Sequence, residues 1–143
     1  MAVAPGEAAI AAQMALKPLY DRLSALLGQA AGLLLLMAAG PDPERERLHL
    51  IAMRGQYAAA ADALRMMAPP AALPASTEAL RRALPLLGEI LDKLEERQPA
   101  GEDRLPALLG RLQAARRLLL AGSAPALGIG LVDLAGACCA GTH

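Results

Sequence analysis

Phenylalanine and tryptophan are absent from this sequence, and Tyr20 and Tyr57 are its only aromatic residues. Aromatic faces are the usual platforms for stacked bases, so single-stranded nucleic-acid binding loses its ordinary chemistry. β-Branched residues are nearly as scarce: Val3 and Val132 are the only valines, and Ile10, Ile51, Ile90 and Ile129 the only isoleucines. A sheet is built largely from such residues, and their scarcity excludes a substantial β core. Net charge is missing as well, with 14 basic residues against 14 acidic ones. The chain therefore lacks the positive field that dominates nucleic-acid affinity, and nucleic acid is not an expected partner. Neutrality also weakens the repulsion that keeps copies apart, which suits a chain that associates.

The two cysteines, Cys138 and Cys139, are neighbours in sequence. They are too close for an ordinary loop-closing disulfide and do not form a secretory framework. With His143 they make a candidate soft-metal set, but no second thiol pair completes a four-thiolate site, and the pair is read as structural or incidental. The N-terminus shows no basic, apolar and small-residue leader pattern, and four residues follow Cys139, which does not match a prenylation signal. The expected location is cytoplasmic.

What the sequence has in quantity is alanine and leucine. The composition is 55% hydrophobic and 20% charged over 143 residues. Both residues favour helix because neither is β-branched and neither competes for backbone hydrogen bonds. The expectation is an all-α fold over residues 1–143 as a single helical domain. Its architecture is read as a four-helix antiparallel bundle, or a helical dimer of similar pattern, with a short fifth C-terminal helix.

The first helix is expected from about Glu7 to Ala39. Leu16, Leu19, Leu23, Leu26, Ala30, Leu33 and Met37 recur three and four apart, which places them along one seam. Apolar residues also lie beside that seam, at Leu27, Leu34, Leu35 and Leu36, so the C-terminal half is expected to touch more than one neighbour. Pro18 predicts a kink or an early restart. Residues 23–41 carry no charge, a length at the lower edge of a membrane span. Ser24 and Gln29 interrupt the run and Gly28 and Gly32 lower its hydrophobicity, so a core or interface helix is preferred to membrane contact.

Gly40-Pro41-Asp42-Pro43 ends this helix and starts the next, with Asp42 as N-cap and Pro43 in the first turn. Leu50, Met53, Tyr57, Ala60, Leu64 and Met67 form its expected buried stripe. Pro69-Pro70 stops it. Ser76 or Thr77 is the expected cap of a third helix through Leu80, Leu84, Leu87, Leu91 and Leu94, with a kink at Pro85 or a short helix followed there by a longer one. Asp103 is the expected cap of a fourth, carrying Leu105, Leu108, Leu112, Ala115 and Leu119. Ser123 is the expected cap of the short fifth, with Leu127, Leu131, Leu134 and Cys138.

Residues that could carry chemistry are few. His49 is the only internal histidine, with Glu46 three residues before it and Met53 four after. That spacing shares a helical face, yet there is neither a His-x-x-x-His spacing nor a pair of Glu-x-x-His motifs to hold a metal. As a phosphoryl acceptor, His49 would need Arg45 or Arg54 to offset charge. Gly128 and Gly130 form only a Gly-x-Gly fragment, and Ser24, Ser76 and Ser123 sit in no nucleophile elbow. The methionines follow the apolar stripes and read as core fillers.

The expected function is that of a noncatalytic helical interaction subunit, adaptor or chaperone, with a protein partner or a second copy bound through Leu23, Leu27, Leu34, Leu35 and Met37. No cofactor is expected. Two alternatives stand beside it: a histidine phosphotransfer module or small enzyme using His49, and a membrane-associated or apolar-ligand-binding bundle.

Overall fold

The computed structural model describes residues 5–67, 72–96, 104–125 and 128–130. Four helices account for nearly all of them: α1 (Pro5–Ala39), α2 (Pro43–Met66), α3 (Pro74–Glu95) and α4 (Leu105–Ala121). Three, seven and nine residues connect them in turn. Connections so short return each helix beside its predecessor in the opposite direction. The all-α four-helix bundle read from the sequence is what the chain forms.

α1 is the spine, packing against α2, α3 and α4, while the most extensive contact is between α3 and α4. Its seam closes within one chain: Leu16, Leu19, Leu23, Leu26, Ala30 and Leu33 are all buried, and Met37 packs at the edge of the same core. Because three helices surround α1, its buried arc is wider than a two-helix seam. Leu27 and Leu34 fall inside that arc, and Leu34 is only 3% exposed. One residue further on, about 100° around the helix, Leu35 is 70% exposed.

Both internal prolines are accommodated without ending a helix. Proline removes the hydrogen bond to the carbonyl four residues earlier. Pro18 and Met14, and likewise Pro85 and Arg81, lie on exposed sides, where water can take the freed carbonyls.

The α1–α2 junction is held by reciprocal caps. Asp42 accepts from the Arg45 amide at 3.2 Å, and the Asp42 amide donates to Glu46 at 3.3 Å. Arg45 then donates back to the carbonyls of Gly40 and Leu36 at 3.0 and 3.4 Å, placing a cation on the negative end of α1. Across the α2–α3 face, Arg54 binds Glu95 at 2.7 Å and also Asp92. Tyr57 lies over Gly88, where an added Cβ would come within 2.6 Å of its hydroxyl.

Three expected features differ. Ser76 and Thr77 do not cap α3; they lie buried inside its first turns, because Pro74 takes the first helical position and Leu73 precedes it in the left-handed region, φ 61°. Ser76 donates to the Gly122 carbonyl instead, and Thr77 to the Leu73 carbonyl at 3.2 Å. The residue preceding α4 is Arg104, with no side-chain cap; Asp103 lies outside the described residues. Nor does a fifth helix start at Ser123: Ala124 and Ile129 exchange backbone hydrogen bonds at 2.8 and 3.1 Å around a turn with Gly128 at φ 71°. Gly128 supplies a left-handed conformation that helix cannot use. Residues 126, 127 and 131–143, and with them Leu127, Leu131, Leu134, Cys138, Cys139 and His143, lie outside the described residues.

Tyr20, Ser76 and Gly122 knit the other end of the bundle. The buried Tyr20 hydroxyl donates to the Ser76 carbonyl at 3.3 Å, and burial raises its pKa to about 12, with the Ser76 hydrogen bond acting in the lowering direction. A Cβ at Gly122 would lie 2.6 Å from that hydroxyl and 2.8 Å from the Ala75 carbonyl, so only glycine lets α4 end against α3 here.

Candidate functional site

His49 stands on the outer side of α2, exposed, in a shallow hollow with Asp42, Glu44, Arg45, Leu48 and Ala52. The partners that a transfer role would need are committed elsewhere. Arg45 closes α1, Arg54 bridges to α3, and Met53 is buried in the core. Glu46 is turned to the Asp42 amide. Among the described residues no group of three or more His, Cys, Asp or Glu side chains could hold a metal ion.

Of the residues expected at an interface, Leu23, Leu27 and Leu34 belong to the chain's own core and Met37 packs on its edge. Leu35 is the one that faces outward. Large apolar residues are exposed at Ile10, Met14 and Met66 and on two faces: Leu36, Leu48 and Ile51 about α1 and α2, and Leu35, Leu109 and Leu120 about α1 and α4.

The second face contains a groove of about 640 Å³. Asp21, Ser24, Ala25, Leu27, Gly28 and Ala31 of α1 form one wall; Leu109, Leu112, Gln113 and Arg116 of α4 form the other. α1 and α4 run in opposite directions, and at the lower end Lys17 and Asp21 share a hollow with Leu120. Climbing α1 therefore means stepping back along α4. Asp21 and Arg116 then fall toward one end of the groove, and Ala31 and Leu109 toward the other. Charge is confined to one end of the groove.

The α1 wall is built from small side chains. Ser24 and Gly28 line it, and Gly32 follows at the same interval of four on that face, one turn beyond the lining residues. A Cβ added at Gly28 or Gly32 would meet nothing within 4 Å. Glycine in a helix interior costs about 0.8–1.0 kcal/mol relative to alanine, and here no internal contact offsets the loss. At Gly122 and Gly88, by contrast, the chain itself fills the space a side chain would take. The sequence carried a signal of this wall in the Gly28-x-x-x-Gly32 spacing, a pattern that brings helix backbones close in apolar helices.

α1 is also long and apolar enough to cross a membrane by length and composition: Gly6–Ala39 has a mean hydropathy of 1.5 over its qualifying window. The core helix of a soluble bundle passes the same test.

Comparison with protein-family models, curated proteins and solved structures finds no match to this chain.

Proposed function

We propose that this chain is a noncatalytic helical interaction module, an adaptor or chaperone-like subunit, that takes an apolar helix of a protein partner into the α1/α4 groove. The observation that carries this reading is the groove wall, where Gly28 leaves the α1 backbone uncovered at the expense of helix stability, with Gly32 equally open one turn beyond the groove. A docked helix would recover that loss by close backbone approach and by covering Leu35 and Leu109. Helix-in-groove recognition uses this kind of surface, a trough between two rigid helices with apolar walls.

The hydropathy of α1 favours a second reading, insertion into a membrane. It would strip Leu16, Leu23, Leu26 and Leu33 from the other three helices and carry Lys17, Asp21 and Arg22 toward hydrocarbon. The intact bundle keeps those leucines covered in water, and a cytoplasmic location accompanies it.

The test is site-specific photocrosslinking in the native host, with a photoreactive residue at Leu109 and a control at Arg82 on the exposed side of α3. A discrete protein adduct from Leu109, lost on Gly28→Leu and not formed from Arg82, supports docking. Lipid adducts alone support the membrane reading. No adduct specific to Leu109 removes the groove as the docking site.

A further inference from the structure

Resting on that docking reading, we propose that the helix occupying the groove is α1 of a second copy, the two copies running parallel about a two-fold axis along the bundle. The pattern of charge along the face selects this arrangement. Asp21 and Arg116 both line the groove toward its end nearest Leu120, and from Leu23 to its last residue, Ala39, α1 has no charged residue. A two-fold along the bundle preserves height, so Asp21 of each copy meets Arg116 of the other, twice over. The uncharged halves, with Gly28 and Leu109, then meet each other.

The opposite arrangement fails on the same residues. A two-fold across the bundle at Gly28 would bring Asp21, seven residues to one side, against Leu35, seven to the other, and would bury a carboxylate on an apolar neighbour. Asp21 has only the exposed Lys17 at 2.7 Å to offset it, and Arg116 makes no ion pair among the described residues. A second copy supplies the complementary order of charge by symmetry, as an isologous contact requires.

Size and shape agree. Ala25 and Gly28, which line the groove, carry a methyl group or less, so α1 presents a low ridge there between the larger side chains Leu27 and Gln29. The 17 residues of α4 give a face about 25 Å long. Two helix diameters make it about 20 Å wide, or about 1,000 Å² over both copies, at the lower bound for a specific interface. An interface of that size belongs with weak, reversible associations.

Sedimentation equilibrium of the full chain, with Cys138→Ser and Cys139→Ser to exclude adventitious disulfides, tests this. The expected result is a monomer–dimer equilibrium that Gly28→Leu weakens by about tenfold or more, the fold being checked by circular dichroism. Asp21→Arg and Arg116→Asp should each weaken it, and the double exchange should restore it to within about twofold. Ala25→Cys and Gly32→Cys should each form cross-links between like copies. Cross-links only between an Ala25→Cys copy and a Gly32→Cys copy would overturn the parallel register. A chain that stays monomeric at several hundred micromolar, or a dimer indifferent to Gly28→Leu, would overturn the second-copy assignment. If the monomeric chain still yields a Leu109 adduct with another protein, docking stands and self-association falls; with no adduct, both fall.

Discussion

Replacing Gly28 and Gly32 together by alanine should make the isolated chain more stable, which is the reverse of what most paired substitutions do. Each position lies inside α1, and each added methyl group enters open space. The gain is then the difference in helix propensity, about 0.8–1.0 kcal/mol per site, or about 1.5–2 kcal/mol for the pair. For a chain of this size that raises the melting temperature by about 3–8 °C. Gly122→Ala is the matched control, because there the methyl group runs into the Tyr20 hydroxyl and the Ala75 carbonyl. Overpacking against backbone, with disturbance of the Ser76 hydrogen bond, should cost about 2–4 kcal/mol. Urea unfolding followed by far-ultraviolet circular dichroism, at concentrations where the midpoint no longer depends on protein concentration, reads both. If the Gly28/Gly32 pair lowers the midpoint under those conditions, something covers the α1 face within one chain, and the reasoning from an open groove wall is wrong.

Three further outcomes follow from the packing. Leu34→Glu should cost several kcal/mol and unfold much of the population, because it leaves a carboxylate in the core, whereas Leu35→Glu should change stability by about 0.5 kcal/mol or less; equal effects on the urea midpoint would contradict the contrast between buried Leu34 and exposed Leu35. Tyr20 has its pKa raised from 10 to about 12, so between those pH values the unfolded chain loses a proton that the folded chain keeps. Stability is fully present below pH 10 and declines by about 2–3 kcal/mol as pH rises toward 12; a Tyr20→Phe variant should lose this component of alkaline sensitivity, and identical pH profiles would remove the assignment. Arg54→Ala should cost about 1 kcal/mol and make stability less dependent on salt, since its carboxylate partners Glu95 and Asp92 are partly in water and lie on the neighbouring helix. A salt dependence unchanged from the parent would show that the bridge contributes little.

The bundle was legible because its information is periodic. The leucines of α1 recur at the helical spacing, Gly40-Pro41-Asp42-Pro43 spells out a stop and a start, and Asp42 caps α2 as its chemistry directs. The caps of α3 and α4 were not legible, since a serine near a proline is equally suited to a cap and to the first turn. The choice was made at a distance, by Gly122 offering Ser76 a carbonyl 46 residues away. The turn at Gly128 had the same ambiguity: a glycine that merely weakens a helix on paper is, at φ 71°, what lets the chain turn between Ala124 and Ile129.

The α1/α4 groove face escaped the sequence for a different reason. Hydrophobic excess points to a surface only when the number of neighbours around a helix is known, and α1 has three rather than one. Leu27 and Leu34, which look surplus beside a narrow seam, are therefore consumed inside the chain, and the outward stripe passes to residues with almost no hydrophobicity of their own. Gly28 and Gly32 lower the apolar character of α1 and weaken it as a helix, so by either measure they read as flaws. They become informative once the space beyond them is seen to be empty. A helix whose core side is saturated with leucine has stability to spare, and that reserve lets it carry two glycines on the opposite side without coming apart. The regular seam and the bare groove wall are thus linked: removing a seam leucine such as Leu26 should make the Gly28→Ala and Gly32→Ala gains decisive for folding, where in the parent chain they are only additive.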